Sequence, residues 1–436
     1  MERYDSYKDS GVEWIGKIPS HWEVCKVKHS YKLQTGFTPA SGQKKYYCEE
    51  DDGHVWITIG DISGKYVSKS SKHITNKAIE DYLPEITPKG SLLFSFKLSV
   101  GQVAFNSEDC YTNEAIASFL TDSKGNLDYF YYASQYFIEF NSNTNIYGAH
   151  ILNQNLINNA YITMPPADEQ IKIAKYLDRK CEEIDKAIAT QEKRVELLKE
   201  LRQNIITQAV TRGINPNAPL KDSGVEWIGE VPEHWEMKRI KHVCKINGRV
   251  GYRGYTTADL VPEGEGAYTI GGKHISNNVL DLTDAEYISW DKYYESPEIM
   301  VKKGDIVTAQ RGSLGKTAII RDEIGEATIN PSLVLLNHIS IYNEFLYWYL
   351  VSTPTLIAIE LLNTSTAVPM VSQWQISNIN IPVPPLSEQQ EIVSYIETQT
   401  ARLDKSIEKA EHQIELLQEL KQSIITEVVT GKRKVC

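Results

Sequence analysis

A sixteen-residue phrase occurs twice in this chain and limits what it can fold into more than any other feature. Lys8 to Glu23 reads KDSGVEWIGKIPSHWE, and Lys221 to Glu236 reads KDSGVEWIGEVPEHWE, an offset of 213 residues. A second echo pairs MPPADEQIKIAKYLDRKCEEIDKAI from Met164 with VPPLSEQQEIVSYIETQTARLDKSI from Val383, where Glu169 and Glu388 lie 219 residues apart. Repetition at a fixed period is the mark of a duplicated structural unit. The chain is therefore a tandem repeat, with a few residues added inside the second copy. Its 436 residues give each copy enough length to bury a core of its own.

Each copy has two parts. The first is rich in Gly, Tyr, Thr and Ile, with short apolar runs such as HVWITIGDI and GDIVTAQRG, which reads as a mixed domain of short strands and long loops. The second opens at Pro165-Pro166 or Pro384-Pro385 and then continues without Pro or Gly for about 45 residues, as a long helix does. Apolar or permissive positions fall there at Ile173, Leu177, Cys181, Ile184, Ile188, Gln191, Val195, Leu198, Arg202, Ile205 and Ala209. The matching stripe is Ile392, Ile396, Thr400, Leu403, Ile407, Ala410, Ile414, Leu417, Lys421, Ile424 and Val428. Steps of three and four make a heptad seam.

The expected fold class is α+β. Two similar α/β heads are joined by two long antiparallel coiled-coil helices, each about 65 Å long at about 1.5 Å per residue, in a pseudo-two-fold tandem repeat. The domain boundaries follow as a first head over 1–164, a first spacer helix over 165–213, a second head over 214–383 and a second spacer helix over 384–436. A seam by itself fits a purely structural coiled coil equally well. Two like heads on a rod of fixed length add a reason to expect measurement of a two-part ligand.

Catalytic signatures are absent. Gly312-Ser-Leu-Gly-Lys-Thr317 ends like a phosphate loop, but Gln310 stands where the Walker spacing requires glycine, and the residues that follow read as a strand. The Asn/Asp-Pro-Pro-aromatic tetrapeptide of adenine amino-methyltransferases does not occur. Asn330-Pro331-Ser332-Leu333 is only half of one. No HExxH or GxSxG pattern is present. Six cysteines, at 25, 48, 110, 181, 244 and 436, show neither a CxxC pair nor a zinc spacing. No signal-like N-terminus and no apolar run of about 18 residues occurs. The expectation is a cytoplasmic, non-catalytic chain without a metal.

Basic residues interleaved with aromatics supply the chemistry that remains. In the second head the run Lys238, Arg239, Lys241, Lys245, Arg249 and Arg253 lies beside Tyr252 and Tyr255. The first has Lys44 and Lys45 after the turn Gly36-Phe37-Thr38-Pro39, then Lys65, Lys69 and Lys72. A solvated basic face explains such runs when they stand alone. One further echo favours recognition. GSLLFSFKLSVGQVAF from Gly90 aligns with GDIVTAQRGSLGKTAI from Gly304, so Lys97 matches Arg311, Ser99 matches Ser313 and Gly101 matches Gly315. Strand, basic tip, Gly turn and return strand recur while the tip residues change. Two heads of one fold with different tips suit the reading of two different sequences. Arg and Lys grip phosphates or guanine, and Gln, Ser, Thr and Tyr hydrogen-bond base edges. The candidate DNA-binding residues are Thr38, Lys44, Lys45, Lys97 and Ser99 in the first head. In the second they are Arg249, Tyr252, Arg253, Lys273, Gln310, Arg311 and Ser313.

These features together resemble the specificity subunit of type I restriction-modification systems, the HsdS family. WIGKIPSHWE and WIGEVPEHWE, TIGDI at Thr58 to Ile62, GDIVTAQRGSLGK at Gly304 to Lys316 and the PP-x-x-EQ starts at Pro165 and Pro384 carry the resemblance over essentially the whole chain. It implies two target recognition domains, each reading half of a bipartite site in double-stranded DNA, with the helices setting the unread spacer. It also implies two modification subunits that bring S-adenosylmethionine and adenine-N6 methylation. Restriction subunits would add ATP- and Mg2+-dependent translocation and cleavage. One departure stands out: the second head reads TIGGKHIS from Thr269, placing Gly272-Lys273 where the acid of TIGDI is expected. The competing readings are a coiled-coil scaffold whose duplicated heads bind protein or another ligand, and a fused restriction-methylation enzyme. Domains of this size leave no room for the methyltransferase that the fused enzyme needs.

Overall fold

Both copies of KDSGVEWIG build the same small device. In a computed structural model, which describes residues 2–435 except 50, 51, 68, 98, 142, 145–149, 250, 252, 253, 364 and 366, Asp9 Oδ1 accepts from Gly11 N at 2.8 Å. Asp222 Oδ1 accepts from Gly224 N at 2.9 Å. Gly11, Gly16, Gly224 and Gly229 all have φ between 71° and 74°, a left-handed backbone that glycine adopts without strain. The turn closes an antiparallel pair in each copy, Tyr7–Asp9 with Lys17–Pro19 and Leu220–Asp222 with Glu230–Pro232. The glycines of the phrase recur because other residues adopt that backbone only with strain. Its last tryptophans, Trp22 and Trp235, are buried in the two cores.

The chain forms two compact units, Met1–Gln191 with Gln413–Cys436 and Glu192–His412. The division passes through both long helices, so each unit holds one head and a part of each helix. In the first unit the strand order of the main sheet is Leu33–Thr35, Ile116–Phe119, Leu92–Ser95, Val103–Asn106, Tyr66–Val67. A four-stranded sheet lies beside it, ordered Tyr111–Thr112, His54–Ile57, His73–Ile74, Tyr47–Cys48. The second unit has Lys245–Asn247, Leu333–Asn337, Ile306–Ala309, Thr317–Ile319 in one sheet. Its other sheet runs Leu260–Val261, Glu286–Ser289, Gly266–Ile270, Ala327–Ile329, Met300–Val301. In both units the strand after the repeated phrase pairs with the strand before the long helix, Glu23–Lys26 with Tyr161–Met164 and Glu236–Arg239 with Asn380–Val383.

The PP-x-x-EQ segments are joints. The long helices run over Ala167–Arg212 and Leu386–Val429. Gln170 donates from Nε2 to the Pro165 carbonyl at 2.8 Å and accepts from Asn126 N at 3.1 Å. Gln389 does the same with Pro384 at 2.8 Å and Tyr342 N at 2.8 Å. The neighbouring glutamates reach back to the HW pair. His21 Nε2 lies 2.8 Å from Glu169, and Glu388 receives His234 Nε2 at 2.8 Å and Trp235 Nε1 at 3.1 Å. Each head is thereby bolted to the start of its own helix. Gly213 and Gly431, both with φ of 73°, end the helices in the left-handed conformation common after a C-terminus.

Within each unit the helices meet in antiparallel fashion along the heptad stripe. In the first, Ile173, Leu177, Ile184 and Ile424 are buried, Ile188 and Leu417 pack against the same cluster, and Lys421 Nζ reaches Asp185 at 2.7 Å. In the second, Val195, Ile392, Ile396 and Ile407 are buried, and Lys199–Glu411 at 2.9 Å and Arg202–Asp404 at 2.8 Å fix the direction. Leu198, Leu403 and Ile414 are half-buried. At Ile205 the stripe departs from expectation: that side chain is half-buried and Ile206 is fully buried, packed with Phe345, Trp348 and Ile381 of the head. A helix drifts about 20° per heptad from a 3.5-residue seam, and here the drift turns the inward face onto the head.

Candidate nucleic-acid interface

Strand, tip and return strand recur as an antiparallel hairpin in each unit, Leu92–Ser95 with Val103–Asn106 and Ile306–Ala309 with Thr317–Ile319. At matching places Gly101 and Gly315 have φ of 90° and 82°. Lys97 and Ser99 are exposed at the first tip, Arg311 and Ser313 at the second.

An asparagine organises the edge from which each tip emerges. In the second head Asn330 N donates to the Ile270 carbonyl at 2.8 Å. The adjoining Ser332 carbonyl accepts from Gln310 N at 2.9 Å and from Arg311 N at 3.3 Å, and Ser332 Oγ accepts from Gly272 N at 3.3 Å. Lys273, Gln310 and Arg311 are thereby gathered around Asn330-Pro331-Ser332, the tetrapeptide fragment that has no methyltransferase context. In the first head Asn113 N donates to the Ile57 carbonyl at 3.0 Å and Phe96 N to the Ala115 carbonyl at 3.0 Å. Gly36 N reaches Ile116 O at 3.3 Å, so the Thr38 loop leaves the sheet at the edge that carries the Lys97 tip. A Cβ on Gly36 would sit 2.0 Å from the Thr112 carbonyl oxygen, which is why glycine opens that loop. Thr38, Lys44 and Lys45 are exposed, with Lys45 Nζ 4.6 Å over the Tyr46 ring.

Other candidates are placed differently. Arg249 is turned inward and only 5% exposed. Its Nε donates to the Ile329 carbonyl at 3.2 Å and its Nη2 to Thr328 Oγ1 at 3.0 Å, with Tyr255 against the guanidinium at 5.3 Å. Burial lowers its pKa. Arg249 braces the sheet edge and is withdrawn from the surface that could face a base, a correction to its place in the basic cluster. Tyr252 and Arg253 lie outside the described residues. Gln310 is half-buried, its Nε2 donating to Pro331 O at 3.0 Å, while exposed Lys273 pairs with Glu286 at 3.1 Å. Lys65 proves structural, held by Asp178 at 2.5 Å with Tyr131 beneath it at 5.4 Å.

The alignment of TIGDI with TIGGKHIS needs a shift of two residues. Thr58 N and Oγ1 both donate to Asp61 Oδ2 at 2.8 Å. In the second head Gly271 N donates to His274 Nδ1 at 2.9 Å. Gly271 therefore answers Thr58 and an imidazole takes the place of the acid, so Lys273 lies within the turn and does not replace the carboxylate. Burial alone would raise the Asp61 pKa, but hydrogen bonds from Thr58 and Ser71 outweigh it and hold the group low. Burial lowers that of His274.

Among the described residues no group of three His, Cys, Asp or Glu side chains is placed to hold a metal, and no single helix is long and apolar enough to cross a membrane. The family model of the type I restriction modification DNA specificity domain matches residues 19–198 and again 232–416. The chain belongs to that family. As a member of the specificity family, it is 25% identical over 430 residues to the type I restriction enzyme MjaVIII specificity subunit of Methanocaldococcus jannaschii, covering 96% of this chain and 94% of that one. It is 24% identical over 367 residues to the EcoBI specificity subunit of Escherichia coli, covering 79% and 75%. A chain from a structural study of type I R-M complex assembly and conformational transition superposes with a TM-score of 0.70 at 16% identity, covering 94% of this chain and 98% of that one. The fold is thus shared well beyond sequence likeness: two recognition heads, each with a long helix.

Proposed function

We propose that this chain is the DNA-reading subunit of a type I restriction-modification complex and carries no catalysis of its own. Each head reads one half of a bipartite duplex target, and the long helices set the spacer between the halves. The observation that carries this reading is the doubled hairpin: one framework, anchored by Asn113 or Asn330, presents Lys97 and Ser99 in one head and Arg311 and Ser313 in the other. A shared scaffold with different donors at its tip discriminates sequences by base-edge contacts.

Two modification subunits would bind this chain and supply S-adenosylmethionine and adenine-N6 methyl transfer, and restriction subunits would supply ATP- and Mg2+-dependent cleavage. The long helices offer a repeated place for the modification subunits. Leu197 and Leu201 are 54% and 47% exposed, and the residues 219 positions later, Leu416 and Leu420, are 49% and 47% exposed. One turn apart on a helix, each pair makes an apolar step suited to a helix of a partner. The heads of this chain, with exposed Thr38, Lys44, Lys45 and Lys97 in the first and with Lys273 and Gln310 beside Arg311 in the second, form the proposed DNA surface. The chain would work in the cytoplasm, where the host DNA is. Mapping methylated adenines in a host that carries this chain and its modification subunit tests the proposal. The expected result is one asymmetric two-part motif, and exchanging residues 214–383 for another head should change one half only. Methylation that ignores the exchange would refute the assignment.

A further inference from the structure

Each head contains a second repeated device that the hairpins do not explain. In the first, Asn159 Oδ1 accepts from Lys28 Nζ at 2.9 Å and from Lys26 Nζ at 3.5 Å, while its Nδ2 donates to the Asn155 carbonyl at 2.9 Å. In the second, Asn378 Oδ1 accepts from Arg239 Nη1 at 3.0 Å and from Lys241 Nζ at 2.8 Å, and its Nδ2 donates to the Trp374 carbonyl at 2.7 Å. The correspondence is residue for residue. An asparagine holds two cations in place without neutralising them, as a carboxylate would, so both stay available to an anion. Of the residues in this device, the one whose carbonyl the asparagine holds differs most: Asn155 in one head, Trp374 in the other.

Trp374 is 72% exposed. An indole so open to water is unusual for a side chain that gains from burial. Its backbone is nonetheless fixed, because Ser372 and Gln375 cap each other's amides at 2.9 and 3.2 Å. The segment leading to it runs beside the second tip. Arg311 and Met370 form an antiparallel bridge, Gly312 N donates to Pro369 O at 2.8 Å, and Val371 N donates to Gln310 O at 2.9 Å. The Trp374 backbone is therefore linked to Arg239 and Lys241 through Asn378, and it follows by four residues the Met370 that bridges Arg311.

We propose that Trp374 is a DNA-contacting specificity residue of the second head, its ring laid against a base or sugar while Arg239 and Lys241 face the adjoining phosphates, and that Asn155 holds the equivalent position in the first head. Cations and exposed polar or aromatic side chains together position a protein on duplex DNA through phosphate and sugar contacts and read its bases at their edges, and an aromatic ring adds a stacking contact wherever a base is unstacked. A modification subunit is the competing occupant. Two copies of one subunit would meet the same side chain in both halves, and an indole opposite an amide does not meet that condition. The inference rests on the specificity-subunit reading given above.

The test uses the complex of the full chain with its modification subunits, comparing wild type, Trp374→Ala and Trp374→Phe for binding to target duplex and for the sequence methylated. Trp374→Ala should weaken binding about tenfold and relax one position of the second half-site, with Trp374→Phe within about threefold of wild type and subunit ratios unchanged. Wild-type affinity and an unaltered motif for Trp374→Ala would overturn the inference. So would loss of the modification subunit from that variant, which would make the surface a protein contact. A wild-type complex that does not discriminate among DNA sequences would instead overturn the specificity reading itself.

Discussion

Glu388 shows how single residues in this chain serve joints and leave recognition to others. It accepts hydrogen bonds from His234 and from the buried Trp235, so Glu388→Ala leaves an indole N–H without its partner. The expected cost is about 1–3 kcal/mol, read as a lower thermal midpoint with the DNA motif unchanged; an unaltered midpoint would show that the joint is dispensable. His274 makes a pH prediction. Its pKa is lowered in the folded head, so folding favours the neutral ring. The stability it contributes is complete above its unfolded value of about 6.5 and is lost as pH falls through the folded value. Asp61 is also lowered, but from the carboxylate range, so the first head keeps its turn until the pH falls below about 4. Amide protection factors near Gly271 should drop between pH 7.5 and 5.5 while those near Thr58 hold. Equal behaviour at both turns would contradict the assignment of His274 to the place of Asp61. The sequence could not show that assignment, because the literal match of TIG to TIG sets the wrong register. Arg249 was misread for a related reason: a basic run records composition, and only the sheet edge shows which guanidinium points inward to Thr328.

At the scale of elements, periodicity carried the reading furthest. The helices start at Ala167 and Leu386, directly after the paired prolines, and much of their stripe is buried, with Leu198, Leu403 and Ile414 half-buried and Ile206 taking the inward place expected of Ile205. The hairpins were equally legible, since Gly101 and Gly315 punctuate matching strands. Less legible was what lies beside a tip. Asn330 and Met370 are far from Arg311 in sequence, and only the strand order puts them next to it. Arg311→Ala should lower affinity and relax one base of the second half-site by about 1–3 kcal/mol if its contact is bidentate, measured by binding to target variants substituted one base at a time. Unchanged affinity and motif would remove Arg311 from the reading surface. The exposed leucine pairs belong to the same scale. Leu197→Glu with Leu201→Glu should release one modification subunit in co-purification and leave the fold intact, since both side chains face solvent. Retention of both subunits would place the docking surface elsewhere.

The whole molecule carries a net charge of −11, distributed as −4 over 1–164, +1 over 165–213, −6 over 214–383 and −2 over 384–436. No region is a basic clamp, and phosphate neutralisation dominates non-specific DNA affinity, so the chain alone should hold DNA weakly and gain its grip from partner subunits. The length of the helices is then the property that the molecule as a whole contributes, because neither head can set a spacer by itself. A four-residue insertion after Glu192 adds a little over one helical turn, about 6 Å at about 1.5 Å per residue. Four residues enter a heptad pattern as a stutter, which unwinds the seam locally without abolishing it. DNA rises about 3.4 Å per base pair, so the recognised spacer should lengthen by about one or two base pairs. Both half-sites should stay the same, because no residue of either hairpin is touched. Methylation mapping in a host carrying the insertion reads spacer and half-sites in one experiment. An unchanged spacer would mean that the helices hold the heads without measuring the distance between the sequences they read.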